Sequence, residues 1–177
     1  MVKKALAYML FLGVVYPLSA AAGSDTLARF KGGIGVIPVS SGVVVAADNA
    51  TQLTSEVVNR NFVRGVQPAG QIWVIEDLRA EVRDNGQIRV SGKGLVLGGG
   101  NNAGRATGQN VFATLICEAA APFTEHNTNP AGVPLAANGD FRIDDRLVPA
   151  AFSCASPMLL IRNAAGQSWF AVGIIDD

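Results

Sequence analysis

From Asp77 the chain alternates with a period of two. Leu78, Ala80 and Val82 are apolar, and Asp77, Arg79, Glu81 and Arg83 around them are charged. Successive side chains of an extended backbone point to opposite faces, so the pattern predicts a strand with one buried and one wet face. It runs into Asp84-Asn85-Gly86, after which Ile88 and Val90 resume the alternation. Asn-Gly tolerates positive φ and is a strong short hairpin signal, which reads as a type I′ turn. No stretch of comparable length shows helical periodicity outside the first twenty-odd residues.

The same chemistry recurs. Asn138-Gly139 separates apolar residues 133–136 from 141–143, and Asn163-Ala164-Ala165-Gly166 separates 158–161 from 169–175. Further strands are expected over 34–39, 43–47, 56–64, 72–78 (continuing into the first hairpin) and 111–117. Leu95 and Leu97 prolong the strand of Ile88, with Gly92 and Gly94 marking a bulge or bend. Asn85-Gly86-Gln87-Ile88-Arg89-Val90 and Asn138-Gly139-Asp140-Phe141-Arg142-Ile143 look alike, which hairpin chemistry explains without duplication. Gly followed by Gln or Asp opens strands at 70, 86, 108, 139 and 166, and this irregular spacing argues against a solenoid or propeller. The sum is an all-β fold, an antiparallel β-sandwich or jelly-roll-like barrel of about nine or ten short strands.

Composition bounds the rest. Of 177 residues 49% are hydrophobic and 16% charged, with a formal net charge of zero. There is enough apolar surface to offset ordering entropy, so a long disordered polyelectrolyte is excluded. No basic excess exists to neutralise phosphates, so no nucleic-acid partner is expected. Lys3 and Lys4, then an apolar run over 5–15, then Pro17 and the small residues Ser19 to Ala22, follow the order of a secretory signal peptide. Cleavage is expected after Ala22, leaving a single all-β domain over 23–177, secreted or periplasmic and bacterial in style. No other segment approaches the roughly 20 apolar residues of a membrane span. Removing the leader leaves 12 Lys+Arg against 14 Asp+Glu, and ten of those cations are Arg. So weakly charged a surface permits self-association.

Cys117 and Cys154 lie in the exported part, and an even count there predicts a disulfide. Closing a loop of that size should stabilise by roughly 4 kcal/mol. Catalytic chemistries are poorly supplied. Gly99 and Gly104 have a P-loop gap, but Arg105 and Ala106 stand where Lys and Ser/Thr are needed. No nucleophile elbow occurs, and the single His126 reads as an exposed loop histidine. Paired carboxylates are the remaining apparatus. Glu76 shares strand parity with Ile72, Val74 and Leu78, so alternation points it inward, where a carboxyl suits a general acid. Glu118 is the candidate second carboxylate. Asp140 and Asp144, with Asp145 and Asn138, are the candidate calcium ligands. Asn49-Ala50-Thr51 matches a glycosylation triplet.

The expectation is therefore an exported non-catalytic module with a surface, adhesive, carbohydrate-binding or structural role, without cofactor or metal. Its partner is a glycan or another envelope or extracellular protein. The alternative is a small secreted carboxylate-dependent hydrolase, such as a glycosidase, built on Glu76 and Glu118.

Overall fold

The computed structural model describes residues 24–37, 42–45, 51–54 and 61–176, those of 42–45 and 51–54 as backbone only. The expected leader, Asn49 and Ala50 of the glycosylation triplet, and most of the strand expected over 56–64 lie outside them.

The described residues form strands and no helix: β1 Thr26–Gly35, β2 Gly42–Val45, β3 Thr51–Thr54, β4 Trp73–Val74, β5 Asp77–Arg83, β6 Gln87–Lys93, β7 Val96–Leu97, β8 Asn110–Ile116, β9 His126–Asn127, β10 Val133–Pro134, β11 Phe141–Arg146, β12 Met158–Asn163 and β13 Trp169–Ile175. Nine of them make one antiparallel sheet in the order β10-β8-β12-β13-β1-β5-β6-β11, with β9 beside β10 on the same edge of β8. β2–β3 and β4–β7 are separate two-stranded pieces. The two ends of the sheet approach each other. Asn127 of β9 exchanges backbone hydrogen bonds with Val148, just beyond β11, at 3.1 and 2.8 Å. The N–H of Asn129 donates to Oδ2 of Asp145 at 2.8 Å. The result is a nearly closed barrel-like sheet, which leaves few unpaired backbone groups at its edges.

The interior follows from the alternation. Leu78, Val82 and Ile88 from the hairpin meet Leu115, Leu159 and Ile161 from the far side, all fully buried. Gly92 and Gly173 are places where another residue fills the space. A Cβ on Gly92 would lie 2.1 Å from the ring of Phe141, and one on Gly173 would crowd Phe30 and Leu78.

The turns differ from the type I′ expectation. At the β5–β6 turn only Gly86 has positive φ, and its N–H donates to the Arg83 carbonyl at 2.9 Å. Asn85 instead uses its side-chain oxygen to accept the Gln87 N–H at 2.9 Å. This is a three-residue loop, a turn followed by one left-handed residue. The Asn138-Gly139 turn is built alike, with Gly139 at φ 84 and Asn138 accepting from Asp140.

The strand expected over 72–78 is in fact broken. Trp73 and Leu78 are both buried, five positions apart, so strand parity changes between them at a bend on Glu76. β1 begins eight residues before the expected strand, because Arg29 and Lys31 stand on its wet face and Gly32-Gly33 form its bulge with β13.

Candidate binding surface

The outer face of β1, β5, β6 and β11 is a four-stranded platform in open register. Lys31 pairs with Arg79, Arg79 with Ser91, and Ser91 with Arg142. Directly opposite residues project to the same side of a sheet, so these four form one row. At about 4.8 Å per strand the row spans roughly 14 Å. The next row is Arg29, Glu81, Arg89 and Asp144. Eight of the twelve Lys and Arg beyond the first 22 residues stand on this face: the five named and Arg83, Lys93 and Arg146. They meet the carboxylates of Asp77, Glu81 and Asp144, with Asp176 at the edge.

Three of these carboxylates are spoken for. Asp77 holds Arg79 Nε at 3.2 Å, Glu81 holds Arg83 Nε at 3.3 Å, and Asp144 holds Arg89 Nε at 3.3 Å. Lys31 and Arg142 make no ion pair among the described residues, and the Arg79 side chain is 69% exposed despite its partner. A shallow depression of about 460 Å³ lies over the two rows, bordered by Arg29, Lys31, Arg79, Arg89 and Arg142. Ser91 forms part of its lining because it is the one short side chain in the cationic row. The arrangement presents several donors with no acceptor of their own, which suits an anionic or polyhydroxylated ligand.

The carboxylate candidates are dispersed. Glu76 is exposed rather than turned inward, because the bend moves it, with Ile72 and Val74, to the outside. Its N–H donates to Lys93 O at 3.0 Å, and its side chain lies over Gly94, Oε2 being 3.3 Å from where a Cβ would stand. Asp140 Oδ1 accepts the Gly94 N–H at 3.1 Å. Glu76 and Asp140 thus bracket one residue, a proximity that their spacing of 64 positions conceals. Glu118 follows β8 at the opposite end of the barrel, beside the disulfide. A seven-residue strand separates the two ends by roughly 20 Å, well beyond the about 5–9.5 Å of a glycosidase pair. Glu118 accepts the Thr124 N–H at 3.2 Å, and that hydrogen bond holds its pKa below the usual carboxylate value. This favours the ionised form and disfavours proton donation.

Asp140 and Asp144 are four residues apart on an extended chain, roughly 13 Å. One is engaged by Gly94 and the other by Arg89. Among the described residues no three His, Cys, Asp or Glu come together as a metal site.

His126 is not the exposed loop residue expected. It sits in β9, paired with Leu115, 9% exposed, with Nδ1 at 2.8 Å from the carbonyl of Pro149. A carbonyl only accepts, so Nδ1 carries the proton. Cys117 and Cys154 form the disulfide. A disulfide suits an oxidising environment.

The arginine platform escaped sequence reading because a net charge of zero averages over it. The signal was there: Arg79, Arg83, Arg89, Arg142 and Arg146 all occupy the wet parity of their strands. What could not be read was that β1, β5, β6 and β11 are neighbours. No family model matches the chain, and no match is found among the curated proteins or the solved structures.

Proposed function

We propose that this chain is an exported, non-catalytic module of the β-sandwich or jelly-roll-like type, which loses residues 1–22 and binds its partner on the outer face of β1, β5, β6 and β11. One observation carries the reading: the depression brings Lys31 and Arg142, which make no ion pair among the described residues, together with the exposed Arg79 and Ser91, whereas Glu76 and Glu118, the two carboxylates expected of a hydrolase, lie at opposite ends of the barrel. The disulfide is consistent with export.

The test is a broad glycan array and a panel of purified envelope proteins, probed with the mature protein and with Ser91→Trp. Tryptophan at this exposed position fills the depression and leaves the inward face untouched. Binding lost in Ser91→Trp at an unchanged melting temperature supports the module. Binding that survives the substitution, or steady turnover of chromogenic glycosides that Glu76→Gln abolishes, overturns it. Export is checked by intact mass, which should lack residues 1–22.

A further inference from the structure

We infer that the platform's ligand is an acidic polysaccharide, whose carboxylate or sulfate groups are seated on Lys31, Arg79 and Arg142. This rests on the module reading and names its ligand class.

Charge complementarity with a definite geometry points to this ligand. Eight cations oppose four carboxylates on a face of a chain whose formal net charge is zero, so the excess is local. Three of the four acids already hold an arginine through its Nε. A guanidinium held at Nε keeps its outer NH₂ groups in fixed orientation, ready for a bidentate acceptor. Arg79 and Arg89 are therefore prearranged, and Lys31 and Arg142 stand without a counter-ion among the described residues. The cations of the first row are interrupted by Ser91, a small hydroxyl that a sugar hydroxyl can face. Spaced cations with a neutral polar gap suit a chain with anionic groups at intervals better than one compact anion.

The face also lacks what other polyanions require. On β5, β6 and β11 no large apolar side chain is exposed and Phe141 points inward, and the one exposed on β1, Ile34, stands beyond the cationic rows. A single-stranded nucleic acid wants aromatic platforms for its bases. A lipid surface wants apolar side chains to bury in its interface. The interleaved Asp77, Glu81 and Asp144 also divide the cations into separated sites, which suit anionic groups at intervals better than the closely spaced phosphates of a duplex.

The experiment uses the mature protein and measures affinity for polygalacturonate, heparin, neutral dextran and duplex DNA, at low and high salt. Expected is binding to polygalacturonate or heparin, none to dextran, and weaker binding to DNA at equal charge concentration. Raising salt tenfold should weaken the complex by more than roughly tenfold, since exposed charges are screened. Arg142→Gln should weaken it roughly fivefold, and Arg79→Gln with Arg142→Gln roughly twentyfold, at unchanged melting temperature. Arg105→Gln, on the loop after β7 and off the platform, should change nothing. Failure to bind either acidic polymer, equal or tighter binding to DNA, or indifference to the double substitution overturns the proposal. If a neutral glycan or a defined envelope protein is bound instead and lost in Ser91→Trp, the ligand class is wrong and the module stands. If nothing is lost in Ser91→Trp, both fall.

Discussion

The two sides of the barrel are put together differently. β5 and β6 bury every second residue, whereas β8 and β12 bury nearly all of theirs. Leu160 and Thr114 point away from the interior yet are fully buried, paired with one another across β8 and β12. Neighbouring segments close over that side. Arg64 reaches the Ile116 carbonyl at 2.9 Å and the Ser156 hydroxyl at 2.7 Å. Glu125 reaches the buried Arg162 at 2.5 Å. Arg162 also lies 5.2 Å from the Phe112 ring centre and donates to the Gln167 carbonyl at 2.8 Å. So the covered half holds its buried arginine, Arg162, by a full set of partners, as a buried cation must be held. The open half leaves arginines with donors to spare. The contrast separates a stabilising side from a binding side, and it makes residues in equivalent sheet positions unequal in consequence.

The largest expected effect is at the covered half's edge. The disulfide joins the end of β8 to the approach to β12. Replacing both cysteines by serine should remove about 4 kcal/mol, read as a shifted denaturant midpoint. A shift under about 1 kcal/mol would mean that the unreduced chain gains little from the link.

Next comes a matched pair. Leu160→Ala and Arg79→Ala both alter outward positions of the sheet. The first should destabilise by about 3 kcal/mol, because it opens a cavity. The second should stay within about 0.5 kcal/mol, because an exposed ion pair contributes little. Equal values would abolish the distinction between the halves.

Gly86→Val tests the open hairpin's turn. Gly86 has φ 81, and a Cβ there would stand 3.0 Å from Ala150 Cβ. Backbone strain and that contact should together reduce stability by about 1–3 kcal/mol. Gly70→Ala is the comparison, since nothing lies within 4 Å of its would-be Cβ and its φ is not positive. It should be near neutral.

The smallest effect concerns pH. Glu118 has its pKa lowered by the Thr124 N–H. A depressed carboxylate contributes stability above its unfolded pKa and loses it as pH falls through the folded value. Amide exchange at Thr124, corrected for the intrinsic rate, should therefore be more protected at neutral pH than in acid. Glu118→Gln should flatten that dependence. An unchanged profile would show that the hydrogen bond does not matter in solution.

Legibility in the sequence followed the same division. On the open half, the period-two pattern, Asn85-Gly86 and the inward set Leu78, Ala80, Val82, Ile88 and Val90 could be read directly, because water on one face writes polarity into every second residue. On the covered half the runs over 111–117 and 158–161 could be read as strands, but not which face was inside. Both faces are dry there, so composition carries no parity. Glu76 shows where local reading fails. Alternation assumes an unbroken strand, and the bend that redirects Glu76 is set by Lys93 and Gly94 on a neighbouring segment. His126 failed likewise, since its polar neighbours suggested a loop tip while β8 recruits it as an edge strand.

Strand chemistry, turn sites and the cysteine pair are local or countable properties, and the chain carries them in itself. Adjacency is neither. That β1 lies between β13 and β5, that Arg142 comes into line with Arg79 through Ser91, and that Glu76 and Glu118 are sent to opposite ends all depend on the order in which strands close the barrel. That order is selected by long-range burial, summed over residues far apart in the chain, which no window of the sequence contains.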